Sequence, residues 1–157
     1  MSVIDIELFK RKIIAKADEE WVNNVNNKPK LRLYTTFKSI RKAEDYVTSG
    51  FPRYNRSLMA QLRSGTLPLA IEVGRYRGLA VEDRICTVCN LNITESELHF
   101  ILECPAYTRS SMDDILLQYD TINMTANDKL KILMNHHKDF SNALLDLWMQ
   151  RKSKMFS

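Results

Sequence analysis

The sequence predicts a mostly α-helical fold interrupted by one short cysteine-rich segment. Three observations carry this expectation. Only four glycines and four prolines occur among 157 residues, too few for the tight turns of an all-β sandwich. Apolar residues recur at steps of three and four through most of the chain. Every cysteine falls in one stretch, RICTVCNLNITESELHFILECP, from Arg84 to Pro105. A chain of this length can bury a real core as one compact unit. Its parts are a basic helical segment over 1–80, the cysteine knuckle over 81–107 and C-terminal helices over 108–157.

Residues 3–25 read as an amphipathic helix, with Ile6, Phe9, Ile13, Ala17 and Trp21 on one stripe. NNVNNKPK ends it, because asparagine disfavours helix interiors and Pro29 cannot continue one. LRLYTTFKSI suits either a strand or a helix, and the helical reading is preferred; AEDYV adds a further turn. From Pro52 to Arg63, Leu58, Met59 and Leu62 share one helix face, and Gly65 is the expected stop. A second short helix should begin near Pro68. Beyond the knuckle, AYTRSSMDDILLQY, TANDKLKILMN and DFSNALLDLWMQRKSKM all carry helical patterns. In the last of these, Phe140, Leu144, Leu147 and Trp148 form a stripe.

Charge is divided unevenly. Residues 22–78 hold eleven Lys/Arg against three acids, whereas residues 85–150 hold four against nine. A basic half beside an acidic half fits a polyanionic partner or an uncommitted solvated surface equally well. No run approaches the roughly 20 apolar residues of a membrane helix, and the opening MSVIDIELFKRKII lacks the apolar core of a signal peptide. An odd cysteine count without such a signal argues against a disulfide framework. An intracellular, reducing setting, nucleus or cytoplasm, is therefore expected, and the N-x-S/T sequons at Asn55, Asn92 and Asn123 carry no meaning there.

The cysteines follow the pattern C-x2-C-x9-H-x4-C. Two thiolates two residues apart reach one ion from a tight knuckle, and a second pair completes a tetrahedron. Cys86, Cys89, His99 and Cys104 are thus the expected ligands of a Zn2+ ion. Four protein ligands close the coordination sphere, so the ion is read as structural. TESE before the histidine reads as a capping box, Thr94 as N-cap with Glu97 three residues on. His99 and Cys104 stand about 140° apart on an ideal helix, so the helix should end or tighten near Glu103, with Pro105 as a stop. CTVCNLNIT is expected to form a small β-hairpin. The full expectation is a mostly α domain with one small zinc-bound hairpin/helix knuckle packed among the helices.

KLRLYTTFK, IEVGRYRG, EDRICTVC and SELHFILECPAY together resemble the C-terminal region of non-LTR (LINE-type) retrotransposon reverse transcriptases, over roughly residues 15–155. The resemblance places the zinc ligands on the same four residues. It implies binding of template RNA or target DNA beside a polymerase domain. The polymerase itself is not expected in this chain. SMDD at Ser111–Asp114 lacks the aromatic residue of a palm motif and sits in a helical pattern, where an exposed acidic face is the plainer reading. The 53 residues after Cys104 are too few for an endonuclease.

Other chemistry is thin. His136 and His137 diverge by about 100° on a helix, which suits surface residues better than a ligand pair. No phosphate-binding glycine loop is present, and no small-molecule substrate is expected. Nucleic-acid contacts are expected from Lys30, Arg32, Arg53, Arg56, Arg63, Arg75 and Arg77, with Tyr76 available for stacking and Tyr34 and Tyr54 interleaved among the same cations. The reading is a non-enzymatic, zinc-stabilised nucleic-acid-binding domain. The alternative is a zinc-stapled helical scaffold that docks on a polymerase or other protein, which gains weight if the apolar stripe of residues 3–25 or 139–155 lies uncovered.

Overall fold

The computed structural model describes residues 3–48 and 50–155. It is mostly helical. Helix α1 (Val3–Asn26) leads through a single 3-10 turn (Pro29–Leu31) into two one-turn helices, α2 (Tyr34–Phe37) and α3 (Asp45–Thr48). Helices α4 (Arg53–Arg63) and α5 (Ala70–Tyr76) precede the cysteine segment. Helices α6 (Ser110–Leu116), α7 (Ala126–Asn135) and α8 (His137–Met155) follow it. The chain thus takes the helical option at LRLYTTFKSI.

The core forms where α4 and α6 pack against α8, with α7 alongside. Leu58, Met59 and Leu62 enter from α4, Met112 and Ile115 from α6, and Leu130, Leu133 and Met134 from α7. Phe140, Leu144, Leu147 and Trp148 enter from α8, so the stripe read in its sequence is covered. Each such side chain contributes about 1.5–3 kcal/mol of burial. Cys86, Phe100, Ile101 and Cys104 belong to the same apolar cluster, so the knuckle packs among the helices.

Helix α1 departs from the expected pattern. Its stripe meets other side chains only near the C-terminal end, where Val25 is buried and the Trp21 ring meets Tyr34 edge-on at 6.3 Å. Farther toward the N-terminus, Ile4, Leu8, Phe9, Ile13 and Ile14 are all more than half exposed. The contacts α1 makes with the rest of the chain lie toward its C-terminal half, at Asp18 with Arg41, Trp21 with Tyr34 and the turn at Pro29–Leu31.

Turn and cap chemistry explains three other boundaries. Gly65 ends α4 at φ +64°, where a Cβ would collide with the Lys30 carbonyl oxygen; only glycine fits both constraints. Helix α5 starts at Ala70, two residues later than Pro68 suggests, because its first N–H is capped from outside by the Glu95 carboxylate at 2.6 Å. Thr125 caps α7, its hydroxyl accepting from the Asp128 N–H at 3.2 Å.

Candidate metal centre

Cys86, Cys89, His99 and Cys104 converge, their ligand atoms all within 4.8 Å of one another. Cys89 Sγ lies 3.4 Å from His99 Nε2, and the Cys86 and Cys104 sulfurs are 4.0 Å apart. A tetrahedron built on metal–sulfur bonds of about 2.3 Å and a metal–nitrogen bond of about 2.0 Å has edges of about 3.5–3.8 Å. The four residues could therefore hold one metal ion with little adjustment.

Two short segments shape the site. In the first, the backbone N–H groups of Val88 and Cys89 point at the Cys86 sulfur, the arrangement a C-x2-C knuckle uses to stabilise thiolate charge. The expected hairpin is reduced to one antiparallel bridge between Ile85 and Thr94, flanked by Cys86 N–H to Ile93 C=O and Glu95 N–H to Arg84 C=O, both at 2.9 Å. The residues between wrap around the sulfur and cannot extend the ladder. Asn92, at φ +55°, makes the turn.

The second segment corrects the helix geometry expected from sequence. His99–Glu103 is a π turn, in which the Cys104 N–H donates to the His99 carbonyl five residues back at 2.7 Å. The helix ends at Glu103, one of the two expected outcomes, but its last turn widens and does not tighten. A five-residue hydrogen-bond step widens the turn, so His99 and Cys104 come closer to one face than a regular helix would allow. The cap is also different: Ser96, not Thr94, accepts from the His99 N–H at 3.1 Å, while Thr94 donates to the Val81 carbonyl. Glu97 turns away from the backbone to meet Arg32.

Arg109 holds the far end of this turn. Its guanidinium donates to the carbonyls of Phe100, Ile101, Cys104 and Tyr107, tying the end of the widened turn to the chain that follows it. The Ala106 N–H points at the Cys104 sulfur. His99 presents Nε2 to the cluster, and its buried Nδ1 lies 3.9 Å from Glu103 Oε2. That is a carboxylate on the side where an outer partner orients a ligating imidazole.

Burial dominates the titration of the set. It pushes the Cys104 thiol up to about 12, raises Cys86, and lowers the His99 imidazole. Without a cation burial favours neutral thiols at Cys86 and Cys104 and a neutral His99 imidazole, and a bound metal ion would reverse that preference at those sulfurs.

Two ion pairs, one buried and one half-buried, fasten the segment to the rest of the chain. Glu95 is gripped by Arg151 of α8 through two 2.8 Å bonds, with side chains 1% and 6% exposed. Glu97 is held by Arg32 at 2.7 and 2.8 Å. The sequence reading missed Glu95, Arg109 and Arg151. Their only sequence signal is acids at alternate positions, Glu95 and Glu97, beside an otherwise committed metal motif.

The expected nucleic-acid contacts divide. Arg53 and Arg77 are exposed. Tyr76 is 73% exposed, and the Arg75 guanidinium lies 4.4 Å from its ring centroid while also making a bidentate pair with Glu72. Lys30 is half-buried, near Glu72, and Arg56 donates to the Val47 carbonyl. Arg32 is committed to Glu97. Arg63 departs from expectation: it is buried, paired with Glu44 at 2.6 Å, and stacked over Phe37 at 4.3 Å. Its place on the core side of α4 withholds it from a phosphate. Tyr34 is likewise held in an aromatic cluster with Trp21 and Phe37.

His136 and His137 do diverge, yet neither lies in the open. The His136 Nε2 meets the Tyr119 hydroxyl at 2.6 Å, and the His137 ring packs near Tyr46. Asp113 and Asp114 lie exposed on α6. Among the described residues no helix is long and apolar enough to cross a membrane. Comparison with protein-family models, curated proteins and solved structures finds no match.

Proposed function

We propose that the chain is a zinc-stapled helical domain that binds nucleic acid through its basic surface, without catalytic activity of its own. The observation that carries the reading is the ligand set. Three thiols and one imidazole within 4.8 Å suit Zn2+ and fill a tetrahedron, leaving no position for water or substrate. The metal then acts on the fold, contributing on the order of 10 kcal/mol to its segment, and function falls to the surface. Exposed Arg53, Arg77 and Tyr76, the excess of cations over residues 22–78 and the resemblance to the C-terminal region of LINE-type reverse transcriptases all support a polyanionic partner. Contacts of this kind go to phosphate and carry little sequence information.

Affinity for single-stranded RNA and DNA across a salt series tests the reading. Affinity should fall linearly on logarithmic axes, by about 0.7 per phosphate contacted, and Arg53→Glu with Arg77→Glu should weaken it severalfold. Absence of binding at low salt, or binding indifferent to both reversals, refutes it.

A second reading has its own observation. The uncovered side chains Ile4, Leu8, Phe9, Ile13 and Ile14 of α1 favour a scaffold that docks on a protein, since an apolar face of this kind marks an interaction surface. In that reading Phe9→Asp and Ile13→Asp abolish capture of a polymerase domain supplied in trans and leave nucleic-acid affinity unchanged. Unaltered capture by both variants rejects it.

A further inference from the structure

The last turn of α8 joins the basic half of the chain in space, though not in sequence. Lys152 donates from Nζ to the Tyr54 hydroxyl at 3.1 Å, and the same ammonium lies 5.7 Å from the Tyr54 ring centroid. Tyr54 stands in the first turn of α4 and is 46% exposed. Arg53 beside it is exposed, and Arg56, one turn on, spends Nη1 on the Val47 carbonyl. The seat is firm. Buried Asn55 reaches the Asn142 side chain at 3.0 Å and the Ser141 carbonyl, clamping the start of α4 to α8.

Among the tyrosines this environment recurs once. Tyr76 is also exposed, with the Arg75 guanidinium near its ring. Tyr46 and Tyr107 are buried, Tyr34 is packed between rings, and the Tyr119 hydroxyl is taken by His136. A cation held near an exposed ring leaves other ring surface free. An unpaired base fits there, because every base offers a π-face and a duplex hides it. Lys152 lies against the ring, and exposed Arg53, the preceding residue in the first turn of α4, adds a second cation at the same helix end for the adjoining phosphates.

We infer that Tyr54, Lys152 and Arg53 form a nucleotide station for single-stranded nucleic acid, with the end of α8 as part of the binding surface. The inference rests on the nucleic-acid reading above and adds to it the strand state and an element outside the basic segment. The ring supplies stacking, the ammonium and guanidinium supply phosphate contacts, and base identity goes unread.

Fluorescence anisotropy with labelled oligouridylate and oligothymidylate of about 12 nucleotides, a duplex of the same length and poly-glutamate tests it. Tyr54→Ala should weaken both single strands by about tenfold or more, Tyr54→Phe by less than about twofold, and the duplex little. Lys152→Glu should weaken single strands by about tenfold and flatten the salt slope. Circular dichroism checks each variant's fold, and Tyr54→Leu replaces Tyr54→Ala if the latter unfolds. If the wild type binds and Arg77→Glu weakens it while Tyr54→Ala and Lys152→Glu change nothing, the station is wrong and the broader reading survives. Equal losses for duplex and single strand, or equally Tyr54-dependent binding of poly-glutamate, also overturn the station. Failure of the wild type to bind any strand removes both.

Discussion

Replacing Arg151 by methionine should unfasten the metal segment from the helical body. Arg151 donates two 2.8 Å bonds to Glu95, whose side chain is 1% exposed, and a third to Met155 Sδ; the Ala70 N–H is the other donor to the carboxylate, at 2.6 Å. Methionine keeps the apolar stem beside Trp148 but leaves a buried anion with one neutral hydrogen bond. Removing one partner of a buried pair costs about 3–5 kcal/mol, chiefly through the charge left behind. For a chain of this size that corresponds to a fall in Tm of about 10 °C. Urea titration followed by circular dichroism on the zinc-loaded protein measures it. The double variant Arg151→Met/Glu95→Gln keeps an acceptor for the Ala70 N–H and removes the charge, so it should regain more than half the loss. A single-variant cost below about 1 kcal/mol, or a double variant no better than the single one, would refute the reasoning.

Other predictions follow from the same geometry. Arg32→Ala also strands a buried carboxylate, Glu97, but the Arg32 side chain is 38% exposed and water can replace it; a cost of about 1–2 kcal/mol is expected, and one equal to that of Arg151→Met would contradict the burial argument. Gly50 and Gly65 share a positive φ, yet a Cβ at Gly50 meets nothing within 4 Å while one at Gly65 strikes the Lys30 carbonyl oxygen. Gly50→Ala should cost about 1 kcal/mol and Gly65→Ala clearly more, so equal denaturation midpoints would be a failure. In the metal-free chain, burial raises the thiols of Cys86 and Cys104, so their stabilising contribution is complete below about pH 8.5 and is lost as pH climbs toward 12. Burial lowers His99, whose penalty sets in as pH falls through about 6.5. Metal-free stability should therefore peak between those limits. Zinc affinity should rise with pH across the same window, as Cys86 and Cys104 must each give up a proton to bind; a pH-independent affinity would contradict neutral thiols at those two residues in the free site.

The cluster of Cys86, Cys89, His99 and Cys104 was legible because its residues are close in sequence and their spacing rare. The helices were legible because apolar periodicity fixes which face each buries, as at Phe140, Leu144, Leu147 and Trp148. What the sequence concealed are long-range partners. Arg63 and Arg53 both stand in one basic helix, and only packing shows that one faces Glu44 and Phe37 while the other faces solvent. Thr94 and Ser96 are equally good caps on paper; the Ile85–Thr94 bridge removes the first. The π turn was hidden because the widening depends on Arg109 collecting carbonyls from across the segment. In α1, periodicity identified the helix but could not say that most of its stripe lacks a covering partner.

X-ray absorption at the zinc edge of the purified chain, with metal content measured alongside, tests the central claim most directly. One zinc per chain is expected, with three sulfurs at about 2.3 Å and one imidazole nitrogen at about 2.0 Å, and chelation should lower both helicity and melting temperature. An oxygen ligand in place of a thiolate, or a metal-free chain equally helical and equally stable, would contradict a closed structural site at Cys86, Cys89, His99 and Cys104.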